Sequence, residues 1–183
     1  MPPTARITVR AARTSDLPAI GKLGATLAQA HHDWDPQRFF VLDSMAEGYA
    51  WWLGRELRNR KAILLAAICG RRVVGYAYGR LEARDWNSLR EACGVGIDLY
   101  VEPAARGLGA GRRLGEALLA ALRARGAPFV VLQAAARNRE AQRFFRRLGF
   151  RPTLVEMTLD LAPPPARPSL RKPAAPASSR RAR

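Results

Sequence analysis

At 183 residues and 20.2 kDa, the chain is long enough for one domain with a hydrophobic core and too short for two ordinary ones. Hydrophobic residues at 48% and charged residues at 25% exclude a wholly disordered chain. The formal net charge of +16, with arginine supplying 28 of the 31 basic residues, points towards polyanionic partners: nucleic acid, an acidic surface or a phosphate-rich small molecule.

Two cysteines, Cys69 and Cys93, give no disulfide framework, and the adjacent His31 and His32 have no matching cysteine spacing, so no metal site is expected. The longest apolar run, Ala62 to Cys69, is 8 residues. That is far below the ~20 a membrane helix needs. The first residues, Met1-Pro2-Pro3-Thr4-Ala5-Arg6, lack a signal-type apolar stretch. A cytoplasmic protein without a membrane partner is the expectation.

In chain order, Ile7 to Ala11 alternates as a short strand. Thr14-Ser15-Asp16 before Leu17-Pro18 opens a helix, with Ile20, Leu23, Leu27 and Ala28 at helical spacing. Residues 31–43 read as a loop, and a second helix is predicted from about Ser44 to Arg60. Ala62 to Cys69, Arg71-Arg72 and Val73 to Leu81 read as a hairpin, and Gly94 to Val101 as a further strand. A helix over Leu108 to Arg125 ends at Gly126. Pro128 to Ala134 is a strand, Asn138 to Leu148 a short helix closed by Gly149, and Leu154 to Leu161 alternates as a last strand. The pattern implies a mixed α/β fold, one layer of sheet with helices on its faces. Residues 1–161 form the expected domain. Residues 162–183 hold six of the 13 prolines, six basic residues and no acid, and read as a disordered basic tail. Without that tail the net charge is +10.

The chemistry-bearing piece is the strand–turn–helix from Gly96 through Arg106-Gly107-Leu108-Gly109-Ala110-Gly111-Arg112-Arg113. Glycines at alternate positions permit positive φ and close backbone approach, so successive N–H groups can converge on one anion. The helix N-terminus and the arginines add positive charge. The pattern is a pyrophosphate cradle. It lacks the lysine and hydroxyl of a P-loop and the placement of a dinucleotide-binding fingerprint.

These residues resemble the GCN5-related N-acetyltransferase (GNAT) superfamily. Arg106-Gly107-Leu108-Gly109-Ala110-Gly111 matches its acetyl-CoA motif, and Asn138, Ala141, Phe144, Phe145, Leu148, Gly149 and Phe150 match its next motif. The resemblance implies a mixed, mostly antiparallel sheet with a splayed strand pair and helices on both faces. It further implies an acetyl-CoA-dependent acyltransferase that moves an acetyl group onto a primary amine of a small molecule or protein, with acetyl-CoA as co-substrate and no metal. Leu99, Tyr100 and Val101 on the splayed strand would line the pantetheine arm. Arg106, Gly107, Leu108, Gly109, Ala110, Gly111 and Arg112 would hold the pyrophosphate, with Arg113 near it. Asn138 and Phe145 would meet the cofactor from the last helix. A homodimer is compatible with this picture, and the basic tail leaves contact with nucleic acid open.

The usual acid and base positions are departures. Phe145 stands where a tyrosine acid is common, and Gln133 where a glutamate base is common; Val95 and Ile97 replace other acidic positions. Asp98 is the only acid on its strand and is the candidate base or amine anchor; the other reading is a carboxylate hydrogen-bonded near the strand's bulge. Tyr100 is a candidate proton donor or a packed aromatic. The competing function is a CoA-binding module of the same fold, catalytically weak and acting as a binding or nucleic-acid-associated protein. His31-His32-Asp33-Trp34-Asp35, with Tyr49, Trp51 and Trp52, falls where the family builds its acceptor pocket; a solvated helix end and core packing are the plainer readings.

Overall fold

The run Ala62-Ile63-Leu64-Leu65-Ala66-Ala67 is apolar at every position because it is covered on both sides. Ile63, Leu65 and Ala67 face one core and Ala62, Leu64 and Ala66 the other. The computed structural model describes residues 6–161 and shows a five-stranded sheet with helices packed on both of its faces at this point.

The strands are β1 (Ile7–Ala11), β2 (Ala62–Cys69), β3 (Arg72–Glu82), β4 (Cys93–Val101) and β5 (Val130–Leu132), and they lie in sequence order. The first four pair antiparallel, and β5 runs parallel to β4. Helices α1 (Leu17–Trp34) and α2 (Met45–Glu56) cover one face; α3 (Ala110–Ala124) covers the other, and α4 (Arg139–Arg147) follows β5. The predicted mixed sheet with helices on both faces is what forms. Among the described residues no helix is long and apolar enough to cross a membrane.

Small residues set the depth at which α3 docks. Gly75 and Gly79 of β3 lie beneath Leu114 and Leu118, whose methyls would be 3.3 and 3.1 Å from a Cβ added at those glycines. Leu114 and Leu122 are fully buried as a result. On the other face Ile20, Leu53, Tyr76 and Tyr78 are fully buried. Asp16, the one buried charged residue among those described, receives a bidentate pair of bonds from Arg10 at 2.6 and 3.0 Å and the Arg13 N–H at 2.7 Å. The Arg10 hydrogen bond holds its carboxyl below the usual carboxylate range. That contact locks β1 to the start of α1.

Three expectations change. Residues 31–43 are not all loop: α1 runs on to Trp34, because the face of Ile20, Gly24, Leu27 and His31 continues at helical spacing. The second helix stops at Glu56 rather than near Arg60. Leu154 to Leu161 is not a strand. It joins no sheet, and its apolar side chains are exposed. Alternation tells which side chains share a face but not which backbone supplies the ladder. The expected tail, 162–183, lies outside the described residues.

Candidate active site

The site grows from the place where β4 and β5 part. They pair only from Gly94↔Val130 to Gly96↔Leu132, and β4 continues alone to Val101. On its other edge β4 pairs with β3 along its length, with one bulge that leaves Ile97 without a partner, and the Glu102 N–H donates to the Val74 carbonyl at 2.9 Å. Bonding alternates along an antiparallel ladder, so Tyr100 and Asp98, like Glu102, face β3 with their backbone groups. The N–H and C=O groups of Leu99 and Val101 therefore point into the open side. This is the gap expected of a splayed pair. In this structure the Val101 carbonyl accepts from Arg106 Nε at 3.2 Å.

At the end of β4 the chain turns through Pro103–Ala105 into the glycine loop. Gly107 and Gly109 have φ of +78° and +81°, a left-handed conformation that a β-branched residue does not tolerate. No atom lies within 4 Å of a Cβ added at Gly107, and at Gly109 only Arg113 Nε comes that near. Gly109 caps α3, whose first turn has neither a side-chain cap nor an acidic residue. The first intrahelical bond runs from Arg113 N–H to the Gly109 carbonyl, leaving the N–H groups before it without helical partners. Open space, unpaired donors and the positive end of α3 fit a pyrophosphate. Leu108 is exposed on this loop, while Ala110 is buried beneath it.

Arg106 leans over the Tyr100 ring, 5.9 Å from its centroid, and lies 3.9 Å from Glu140. Arg113 overhangs Gly109, whereas Arg112 turns along the helix to Glu116 at 2.7 Å. Asn138 caps α4, its Oδ1 accepting from the Ala141 N–H at 3.0 Å. Phe145 stacks edge-on against Phe144 and Phe150 at 5.2 and 5.8 Å. Gln133 is exposed.

On the opposite face of β4, Asp98 accepts from the Tyr76 hydroxyl at 3.0 Å. Burial pushes the Asp98 carboxyl up, partly offset by the Tyr76 bond and the nearby His31. Tyr76 and Tyr49 are both raised, chiefly by burial and then by the Asp98 charge. Tyr100 is buried in the same cluster as a packed aromatic.

His31, which the sequence offers only as part of the candidate acceptor-pocket run, lies near enough to Asp98 to bear on its charge. Its Nδ1 lies 2.8 Å from the Leu27 carbonyl. A carbonyl only accepts, so Nδ1 carries a proton and donates it there. Trp34 and Phe39 flank the ring edge-on at 5.2 and 5.0 Å. Extending the apolar face of α1 by one further turn would have found His31, since it follows Leu27 by four residues. Tyr76 carried no sequence signal beyond alternation and aromatic content, and Tyr49, named with the acceptor-pocket run, none that tied it to Asp98. Among the described residues no group of three or more His, Cys, Asp or Glu is placed to hold a metal.

Comparison with known proteins agrees with this geometry. No curated protein matches the chain in sequence. Among solved structures, a tetramutant of the BH1408 protein of Bacillus halodurans superposes with a TM-score of 0.73 at 21% identity, covering 84% of this chain and 99% of the other. An acetyltransferase of Trypanosoma brucei gives 0.61 at 23%, covering 85% and 100%. The aminoglycoside N-acetyltransferase AAC(6')-Iy, solved with CoA, gives 0.67 at 14%, covering 87% and 97%. These likenesses establish the fold. The family model described as "Acetyltransferase (GNAT) family" matches residues 27–150, the stretch that carries the glycine loop, the open gap and the α4 motif. On that match, the chain belongs to the GNAT family of acetyltransferases.

Proposed function

We propose that the protein transfers the acetyl group of acetyl-CoA directly to a primary amine of a small molecule or a protein. The observation that carries this reading is the uncapped N-terminus of α3, with its two left-handed glycines, at the mouth of the β4–β5 gap. One feature fits a pyrophosphate and the other an extended amide-bearing arm. Acetyl-CoA, when bound, supplies an activated acyl carbon and a thiolate leaving group.

The chain's own part is positioning, charge and one proton. Leu99 and Val101 offer backbone N–H groups along the gap, suited to an amide-bearing arm and to the developing oxyanion of a thioester. Arg106 and Arg113 add charge around the glycine loop. An amine with pKa near ~10 must lose a proton before it attacks. Asp98 takes that proton, and the free amine then forms the N–C bond as the C–S bond breaks and the CoA thiolate leaves. Its raised pKa makes it a better base than an exposed carboxylate, and the Tyr76 hydroxyl fixes its orientation. Tyr100 serves as packing beneath Arg106, in keeping with its burial.

Binding without turnover is the competing reading, favoured by the exposed Gln133 and by the enclosure of Phe145 in an aromatic trio. Free-thiol release from acetyl-CoA across a panel of amines decides between them: turnover with at least one amine supports the transferase. CoA binding with no turnover on any amine supports the module. Gly109→Val should weaken CoA binding about 100-fold, because it strains the loop and fills the cradle. Unchanged affinity by calorimetry would remove the cradle from the site.

A further inference from the structure

We infer that the arginine face of α4 docks the phosphate backbone of a nucleic-acid duplex. Residues 137–151 hold six arginines and one acid, a net of +5 that is half the excess of residues 1–161. Arg139, Arg143, Arg146 and Arg147 recur at helical spacing and share one face of α4. All four are exposed, as are Arg137 and Arg151 at its flanks. The opposite face is occupied: Phe144 would lie 3.7 Å from a Cβ added at Gly111 of α3, and Leu148 2.7 Å from one at Gly115. The four arginines therefore point away from α3.

No acidic side chain of the chain answers these charges. Among the described residues none of the four forms an ion pair, and Glu140, the single acid of the helix, faces Arg106 instead. Residues 1–5 and 162–183 contain no Asp or Glu. Arg139 with Arg143, and Arg143 with Arg147, are like-charge pairs one turn apart, which repel and weaken a helix. Arg139 also stands at the positive end of the helix dipole. A face that costs stability when bare is relieved by a polyanion.

The surroundings of the face select which polyanion. An acidic protein would need an apolar core to its interface, and no large apolar side chain is exposed between Val130 and Thr153. A single strand would need an aromatic platform for its bases, whereas Phe144, Phe145 and Phe150 turn onto one another. A duplex asks only for regularly spaced phosphate contacts, which position it without reading its bases. Arg139 to Arg147 spans about 12 Å at 1.5 Å per residue. That length meets about three phosphates of one strand at roughly 3.4 Å each. Guanidinium forks fit phosphate oxygens in pairs. The inference stands whether or not the protein transfers acetyl groups.

The test uses the full chain and labelled duplexes of about 20 base pairs and mixed sequence, one of DNA and one of RNA, with anisotropy read across a salt series. The parent should bind at least one duplex, and the tighter one names the source. One variant combines Arg139→Gln, Arg143→Gln, Arg146→Gln and Arg147→Gln; a second changes the six basic residues of 162–183 to Gln. Net charge alone predicts the larger loss in the tail variant, which gives up six charges against four. The docking face predicts the reverse: the face variant should bind at least about tenfold more weakly, with the slope of log affinity against log salt reduced by about 3. Its CoA affinity by calorimetry should hold. Gln matches Arg in helix propensity, and Arg143→Gln with Arg147→Gln should lower the slope by about 2 if the fourfold variant does not fold. Lysine at all four positions should restore the slope. No binding to either duplex overturns the inference, as does a tail variant that loses as much as the face variant. So does CoA affinity that falls together with duplex affinity, or polyglutamate that displaces the duplex as readily as unlabelled duplex does.

Discussion

The described residues divide at Leu122. Every buried residue lies between Ile7 and Leu122, and from Arg123 to Leu161 none reaches full burial. The first region has both faces of its sheet covered: Leu53 of α2 packs in one core with Tyr78, and Leu114 and Leu122 of α3 fill the other. The second has a three-residue strand with one neighbour, a short helix with no buried side chain, and an exposed apolar arm. The difference separates a core covered on both sides from a sheet edge that lies open. It also locates the candidate site, since the β4–β5 gap is the seam between the two regions.

The sharpest way to break that contrast is a pair of truncations. Leu114→Ala removes a fully buried side chain and should cost about 2–5 kcal/mol in chemical denaturation. Phe144→Ala, on half-buried α4, should cost less than half as much. Equal losses would mean the second region is as well packed as the first. The next effect is Asp16→Ala, which leaves Arg10 and the Arg13 N–H without their partner and should cost about 2 kcal/mol at neutral pH. Because the folded-state pKa of Asp16 is depressed, its contribution is present above the unfolded value near ~3.9 and fades as pH falls through the lower folded value. A difference between wild type and variant that persists at the acid end would contradict the assignment.

The smallest effect sits at the seam. The Tyr76 hydrogen bond favours ionised Asp98, so Tyr76→Phe raises the Asp98 pKa further. If Asp98 is the base, the acid limb of kcat/KM moves to higher pH while CoA affinity holds. A profile that does not move would sever Asp98 from the chemistry.

Much of the first region was legible in the residues. The all-apolar run at 62–67 required cover on two sides, and Gly107 and Gly109 between a strand and a helix required a left-handed, open turn. Those features are local, so spacing alone specifies them. That His31 lies near Asp98 was not legible, because it depends on how α1 packs against the sheet.

Sequence by itself determined the two-sided strands, the glycine cradle and the family, since each rests on periodicity or motif within a few residues. Tertiary structure alone decided what surrounds Asp98, which arginine overhangs the loop, and that the alternating run at 154–161 finds no partner in its own sheet. Burial, charge neighbours and strand pairing join residues far apart in the chain, and spacing does not encode them. The large positive charge divides in the same way. Arg106 and Arg113 gain a place beside the cradle, Arg10 and Arg38 are held in ion pairs, and only the folded chain assigns each of them its work.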